Sequence, residues 1–151
     1  MSSSALLLTL VALIAGGMIA MQGPINAELA GRLGHPVSAA FWSFCVGTTV
    51  LALVVFLFAR GSTDFGALRS LPLYMVIGGG LLGAVYVLAN LILAPKIGVA
   101  ALMSLAIAGQ LAAALLLDRF GLFDLVQREL SLGRVSGVVL VLVGALMVRM
   151  L

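Results

Sequence analysis

Charged residues are so sparse along this chain that they cut it into apolar blocks. With His counted among the charges, uncharged stretches run over 1–27, 36–59, 70–95, 97–117 and 135–148. A helix crossing a hydrocarbon core of roughly 30 Å needs about 20 apolar residues, and the first four stretches satisfy this. The fifth reaches spanning length only by running on to Leu151, with Arg149 snorkelling its guanidinium to the interface. Gly137, Val141, Gly144 and Val148 keep one helical face there, and Ser131 offers an N-cap just upstream. The pattern therefore predicts an all-α membrane protein with five transmembrane helices in a single domain, 1–151. The spans fall near 4–33, 36–59, 71–94, 97–118 and 133–151.

The connections follow from the breaker residues. Gly23 and Pro24 interrupt an apolar run that continues as INAELAGRL up to Gly34, so the first span is a long helix kinked at Gly23–Pro24. Pro36 takes the first position of the second span, where its missing N–H costs nothing. The longest connection, DRFGLFDLVQRELSLGR from Asp118 to Arg134, mixes Phe, Leu and charge and suits the membrane surface. The opening MSSSALLLTLVALIAG lacks the basic region of a secretory signal and reads as a retained span.

Composition removes most other classes. Hydrophobic residues make up 64% of the 151 and charged ones 9%, against roughly 25% in a water-soluble domain. The net charge of +3 comes from scattered arginines that orient spans and form no basic patch, so no nucleic-acid partner is expected. One cysteine, Cys45, excludes an intrachain disulfide framework and a multi-cysteine metal site, and neither a metal nor a cofactor is expected. An intramembrane enzyme would need Ser–His, Ser–Lys, paired Asp or a metal. The single His sits in a turn, the single Lys lies beside Pro95, and no Asp falls at the centre of a span, so no catalytic residues are assigned.

Lys and Arg divide five to three between the two sides of a five-span chain: Arg60, Arg69, Arg119, Arg128 and Arg134 against Arg32, Lys96 and Arg149. This weakly favours a cytoplasmic N-terminus, and so slight a bias allows both orientations. No repeat is visible within the chain. A pseudo-two-fold architecture of the kind many transporters carry in one polypeptide would have to be completed by a second, inverted molecule.

Several segments, taken in order, resemble one family: Gln22-Gly23-Pro24-Ile25-Asn26-Ala27, Ser43-Phe44 with Gly47-Thr48, the run GGGLLGAVYVLAN, the turn from Pro95 to Gly98, Gly109-Gln110, and the closing LSLGRVSGVVLVLVGALMV. They resemble the small five-span (YdcZ-like) branch of the drug/metabolite transporter superfamily, related to the EamA-like transporters. The resemblance covers essentially the whole chain. It implies a multi-pass protein of the bacterial inner membrane acting as half of an inverted-repeat transporter. Its partner would be an antiparallel second copy or an oppositely oriented paralogue. It supplies no substrate.

The polar residues inside the spans are the candidate site. Gln22 and Asn26 lie four apart on one helical face, straddling a proline that frees the carbonyl of Ala20. Either they bond a neighbouring helix or they line a wet cavity. In the third span Gly79, Gly83, Tyr86 and Asn90 form one stripe, which suits either a central cavity or a small-residue packing seam. Ala39, Ser43 and Gly47 form a small-residue ridge in the second span, where Trp42 fits an interfacial belt or a cavity wall. Gln110 stands in the middle of the fourth span, where an amide needs a partner. The substrate-contact candidates are thus Gln22, Asn26, Trp42, Ser43, Tyr86, Asn90 and Gln110, with Gly47, Gly79 and Gly83 assigned to helix packing. Glu28 is the carboxylate nearest a span interior and the candidate for proton coupling, although Arg32 at i+4 offers it a surface partner. Asp118, beside Arg119, reads as an interfacial helix end. The expected function is alternating-access transport of a neutral or weakly polar organic solute. The competing reading is a non-transporting membrane subunit that packs against and regulates a partner.

Overall fold

The computed structural model describes residues 3–150, so the part of the fifth span assigned to Leu151 lies outside the described residues, as do Met1 and Ser2. All regular structure among the described residues is helical. Among the described residues five helices are long and apolar enough to cross a membrane: α1 (Ser3–Leu33), α2 (Pro36–Val54), α3 (Leu73–Ile97), α4 (Val99–Phe120) and α5 (Leu132–Met150). They fall into two compact units, residues 1–95 and 96–151.

In the first unit α1 runs unbroken through Pro24. It stops at Gly34, whose φ of +78° is a left-handed C-terminal conformation that only glycine adopts freely. His35 is extended and its Nδ1 accepts from the Val37 N–H at 3.2 Å, capping α2, and Pro36 occupies the first turn. With two residues between them, α1 and α2 pack against each other. Small side chains allow this, since Ala39 is wholly buried, and Ala39, Ala40 and Leu91 of α3 form a core bordered by Ala27, Leu29, Ala30 and Val87. α2 ends in a π-helical turn, Val55–Ala59, and the Arg60 guanidinium then sits 5.2 Å from the centre of the Phe56 ring. A short 3-10 turn over Phe65–Arg69, capped by Asp64 on the Gly66 N–H at 2.8 Å, leads to α3.

In the second unit α4 packs against α5. α4 closes on Gly121 at φ +59°, and a 3-10 turn follows at Leu122–Asp124. Phe123 and Asp124 also have φ of +59°, a strained region for residues with a Cβ. Other bonds hold the connection in place. The Arg128 N–H donates to the Asp118 carbonyl at 2.8 Å and Gln127 Nε2 to the Arg119 carbonyl at 3.0 Å. Ser131 Oγ accepts from the Arg134 N–H at 3.3 Å, the N-cap expected for the fifth helix.

The exposed surface confirms what solvent these helices are built for. No large side chain among the described residues is fully buried, whereas Leu8, Leu82 and Leu132 are 70%, 72% and 90% exposed. Apolar faces of this extent require lipid or another protein to cover them.

Candidate functional site

The polar side chains of the first unit meet. Asn26 of α1 is buried, and its Nδ2 donates to Ser43 Oγ of α2 at 3.2 Å. Asn90 of α3 is buried as well, with its Nδ2 donating to the Tyr86 carbonyl one turn back at 2.9 Å. Gln22, which is exposed, and Asn26, Tyr86 and Asn90 together line a small open pocket of about 10 Å³ between α1 and α3, with Ile19, Gly23, Val87 and Leu91. The i, i+4 pairs of two different helices thus face one another across a space the size of a single water molecule.

A second, larger cleft shares Gln22 with the first. It measures about 210 Å³ and is lined by Gln22, Ser43, Phe44, Gly47, Thr48 and Leu51. Ser43 uses a lone pair to accept from Asn26, which leaves its hydroxyl proton available to the cleft. Thr48 and Leu51 also border an apolar groove of about 450 Å³ that continues past Val55 and Phe56 to Arg60 and Phe65. Neither polar cavity has a charged side chain in its lining.

The remaining candidates lie elsewhere. Trp42 is 58% exposed on α2 and lines neither polar cavity. Gln110 is exposed on α4, in the second unit. Among the glycines, a methyl group at Gly83 would lie 3.7 Å from Phe44 Cζ, while at Gly47 or Gly79 it would meet nothing within 4 Å. Glu28 bonds Arg32 through Nη2 at 2.8 Å, with both side chains more than two-thirds exposed. Asp118 stands in the last turn of α4, and its Oδ2 also receives Arg134 Nη2 from sixteen residues on, in a partly buried ion pair. Arg134 also donates to the Glu129 carbonyl at 3.4 Å.

Sequence reasoning missed the apolar wall of the cleft. Phe44, Thr48 and Leu51 follow one another at steps of four and three, so they share a face of α2 next to Ser43. That stripe was available to find, but its aromatic and aliphatic members read as ordinary span residues.

Residues 7–147 match the family described as "Putative inner membrane exporter, YdcZ". The chain belongs to this family. It is also similar to the inner membrane protein YdcZ of Escherichia coli (strain K12), at 30% identity over 142 residues that cover 93% of this chain and 94% of that one. No solved structure matches. Family membership and five apolar helices of spanning length make this a multi-pass inner-membrane protein. The family's description is that of an inner membrane exporter and not of an enzyme.

Proposed function

We propose that the chain is a carrier for small neutral or weakly polar organic solutes, and that Gln22, Asn26, Ser43, Tyr86 and Asn90 form its binding region. The observation that carries this reading is the gathering of four uncharged polar side chains from three spanning helices around a fifth, Gln22, with a 210 Å³ cleft beside them. Neutral hydrogen-bonding groups in membrane-spanning helices are costly unless they bond one another or a ligand. Here they bond one another only in part. The Ser43 hydroxyl and the Gln22 amide offer donors and an acceptor, while Phe44 and Leu51 offer apolar surface. A solute with one polar end and a short apolar body matches that lining, and the absence of charge disfavours ions held by pairing. The groove toward Arg60 and Phe56 supplies a way in along α2.

The working unit is an antiparallel pair of copies that alternate access to the two sides. An odd number of spans, no internal repeat, a five-to-three division of basic residues and unpartnered apolar faces support that arrangement. The test has two stages. Val126→Cys, in the exposed connection between α4 and α5, is labelled with a membrane-impermeant thiol reagent on a Cys45→Ser background. Labelling of about half the molecules from each side is the expected result, and labelling from one side only would exclude a self-sufficient antiparallel pair. Uptake of a panel of neutral amphipathic solutes into proteoliposomes then reads the activity. A Gln22→Ala change is expected to reduce flux of any transported solute at least tenfold without altering membrane insertion. Flux of no solute would favour the regulatory subunit.

A further inference from the structure

Beyond the solute cleft, α2 carries a second surface of different chemistry. Thr48, Leu51, Ala52, Val55 and Phe56 follow one another at helical spacing, so they form one stripe, and with Arg60 and Phe65 they line the groove of about 450 Å³. Thr48 stands at the middle of the span Pro36–Ala59, and Arg60 directly after its end. The helix between them covers about 18 Å, close to the roughly 15 Å of one leaflet in a hydrocarbon core of about 30 Å. The groove thus runs from mid-membrane to one surface.

Its outer end carries an unspent cation. The Arg60 guanidinium lies 5.2 Å from the centre of the Phe56 ring, one turn back, and among the described residues no carboxylate pairs with it. The carboxylate of the connection that follows, Asp64, gives its Oδ1 to the Gly66 N–H. The Ala59 carbonyl at the helix end accepts from the hydroxyls of Ser62 and Thr63 and so makes no demand on the arginine. Stacking on Phe56 holds the guanidinium at the mouth of the groove. Its planar fork of N–H donors is the group that grips phosphate oxygens in pairs.

We propose that this groove binds an anionic phospholipid, with one acyl chain along Leu51, Ala52, Val55 and Phe56 and the phosphate on Arg60. The stripe suits hydrocarbon, its length suits one leaflet, and its single charge lies where the headgroups begin. Arg60 and Arg69 outnumber Asp64 in the connection from α2 to α3, which favours a net negative headgroup over a zwitterionic one, whose ammonium would add like charge there. A lipid gripped at phosphate and chain together stays with the protein, in contrast to lipid that only wets an apolar face.

The inner end of the groove shares Thr48 and Leu51 with the solute cleft, so the tip of the chain closes that cleft toward the bilayer. The bearing on transport rests on the carrier reading, in which a solute arriving along α2 displaces the chain, whereas the lipid site does not rest on it.

Binding is tested without any transport assay. The purified protein in a neutral detergent is unfolded thermally over a series of dioleoyl phosphatidylglycerol concentrations at constant ionic strength, and the series is repeated with dioleoyl phosphatidylcholine and with glycerol phosphate. A saturable rise of the unfolding temperature with phosphatidylglycerol alone is expected. Arg60→Gln should weaken the apparent affinity at least about tenfold, and Arg69→Gln by no more than about twofold. Ala52→Phe, which fills the groove and leaves every charge in place, should also weaken it at least about tenfold. All three positions are exposed, so the variants fold. Equal responses to the two lipids, or equal losses in the two arginine variants, would overturn the site. An equal response to glycerol phosphate, or an unchanged affinity in Ala52→Phe, would replace it with a simple anion site. A lipid response without solute flux keeps the groove and removes the carrier, whereas flux with no lipid response does the reverse.

Discussion

The two units of this chain spend their polar groups differently. In the first unit a long-range side-chain bond joins neutral groups inside spanning helices, Asn26 to Ser43, and beside it a buried amide oxygen on Asn90 has no protein donor. In residues 96–151 the long-range bonds gather at the end of a helical hairpin, where Asp118, Arg134, Gln127 and Arg119 tie the connection to α4. A satisfied ion pair where a chain reverses fixes structure. A partly satisfied set of amides within the membrane leaves bonding capacity for something that arrives. That contrast is why the proposed binding region is assigned to the first unit, while the second is a clasped hairpin.

Substitutions sharpen or break that contrast. Asp118→Ala carries the largest effect on stability, about 2 kcal/mol, less than the roughly 3–5 of a fully buried pair because about a third of each side chain is exposed. Denaturation in mixed micelles measures it, and the charge swap Asp118→Arg with Arg134→Asp should recover a good part of the loss. Asn90→Leu goes the other way: it is expected to raise stability by about 1 kcal/mol, by removing a buried acceptor without a donor, while lowering flux. A loss of stability there would mean that Asn90 is structural. Ser43→Ala should cost only about 0.6 kcal/mol, the usual worth of an interhelical hydrogen bond in a membrane, yet lower transport at least tenfold. Glu28→Gln should change stability by no more than about 0.3–0.5 kcal/mol, since its partner Arg32 lies on the same exposed helical face.

The five helices were legible because charge is excluded from a bilayer interior and few residues of this chain carry it. Local chemistry was legible too. Pro36 at a helix start, Ser131 as a cap and Glu28 with Arg32 all depend on residues within four positions of each other. Helical periodicity also placed Gln22 with Asn26, and Tyr86 with Asn90, on common faces. Periodicity could not say that those faces meet around one cavity, because the rotation of one helix against another is set by side-chain packing around Ala39 and Leu91. The bond from Asn26 to Ser43 and the pair of Asp118 with Arg134 span seventeen and sixteen residues. Both depend on where the chain turns back. In the sequence Asp118 simply stands next to Arg119, and nothing marks the more distant arginine as its partner. The π-helical turn at Val55–Ala59 also left no trace in an apolar run that reads as plain helix.

The central claim is that the first unit holds a solvent-accessible binding region within the membrane, and thiol accessibility tests it most directly. Single cysteines at Gln22, Ser43 and Thr48, which line the cleft, and at Leu8 and Leu13, which are exposed apolar positions of α1, are placed on a Cys45→Ser background in intact membranes. Small water-soluble methanethiosulfonates should modify the first three at least tenfold faster than the last two, and a transported solute should slow the reaction at Gln22 and Ser43. Equal and slow modification at all five positions would mean that the polar groups are packing bonds between helices, and the account of this region as a binding site would be wrong.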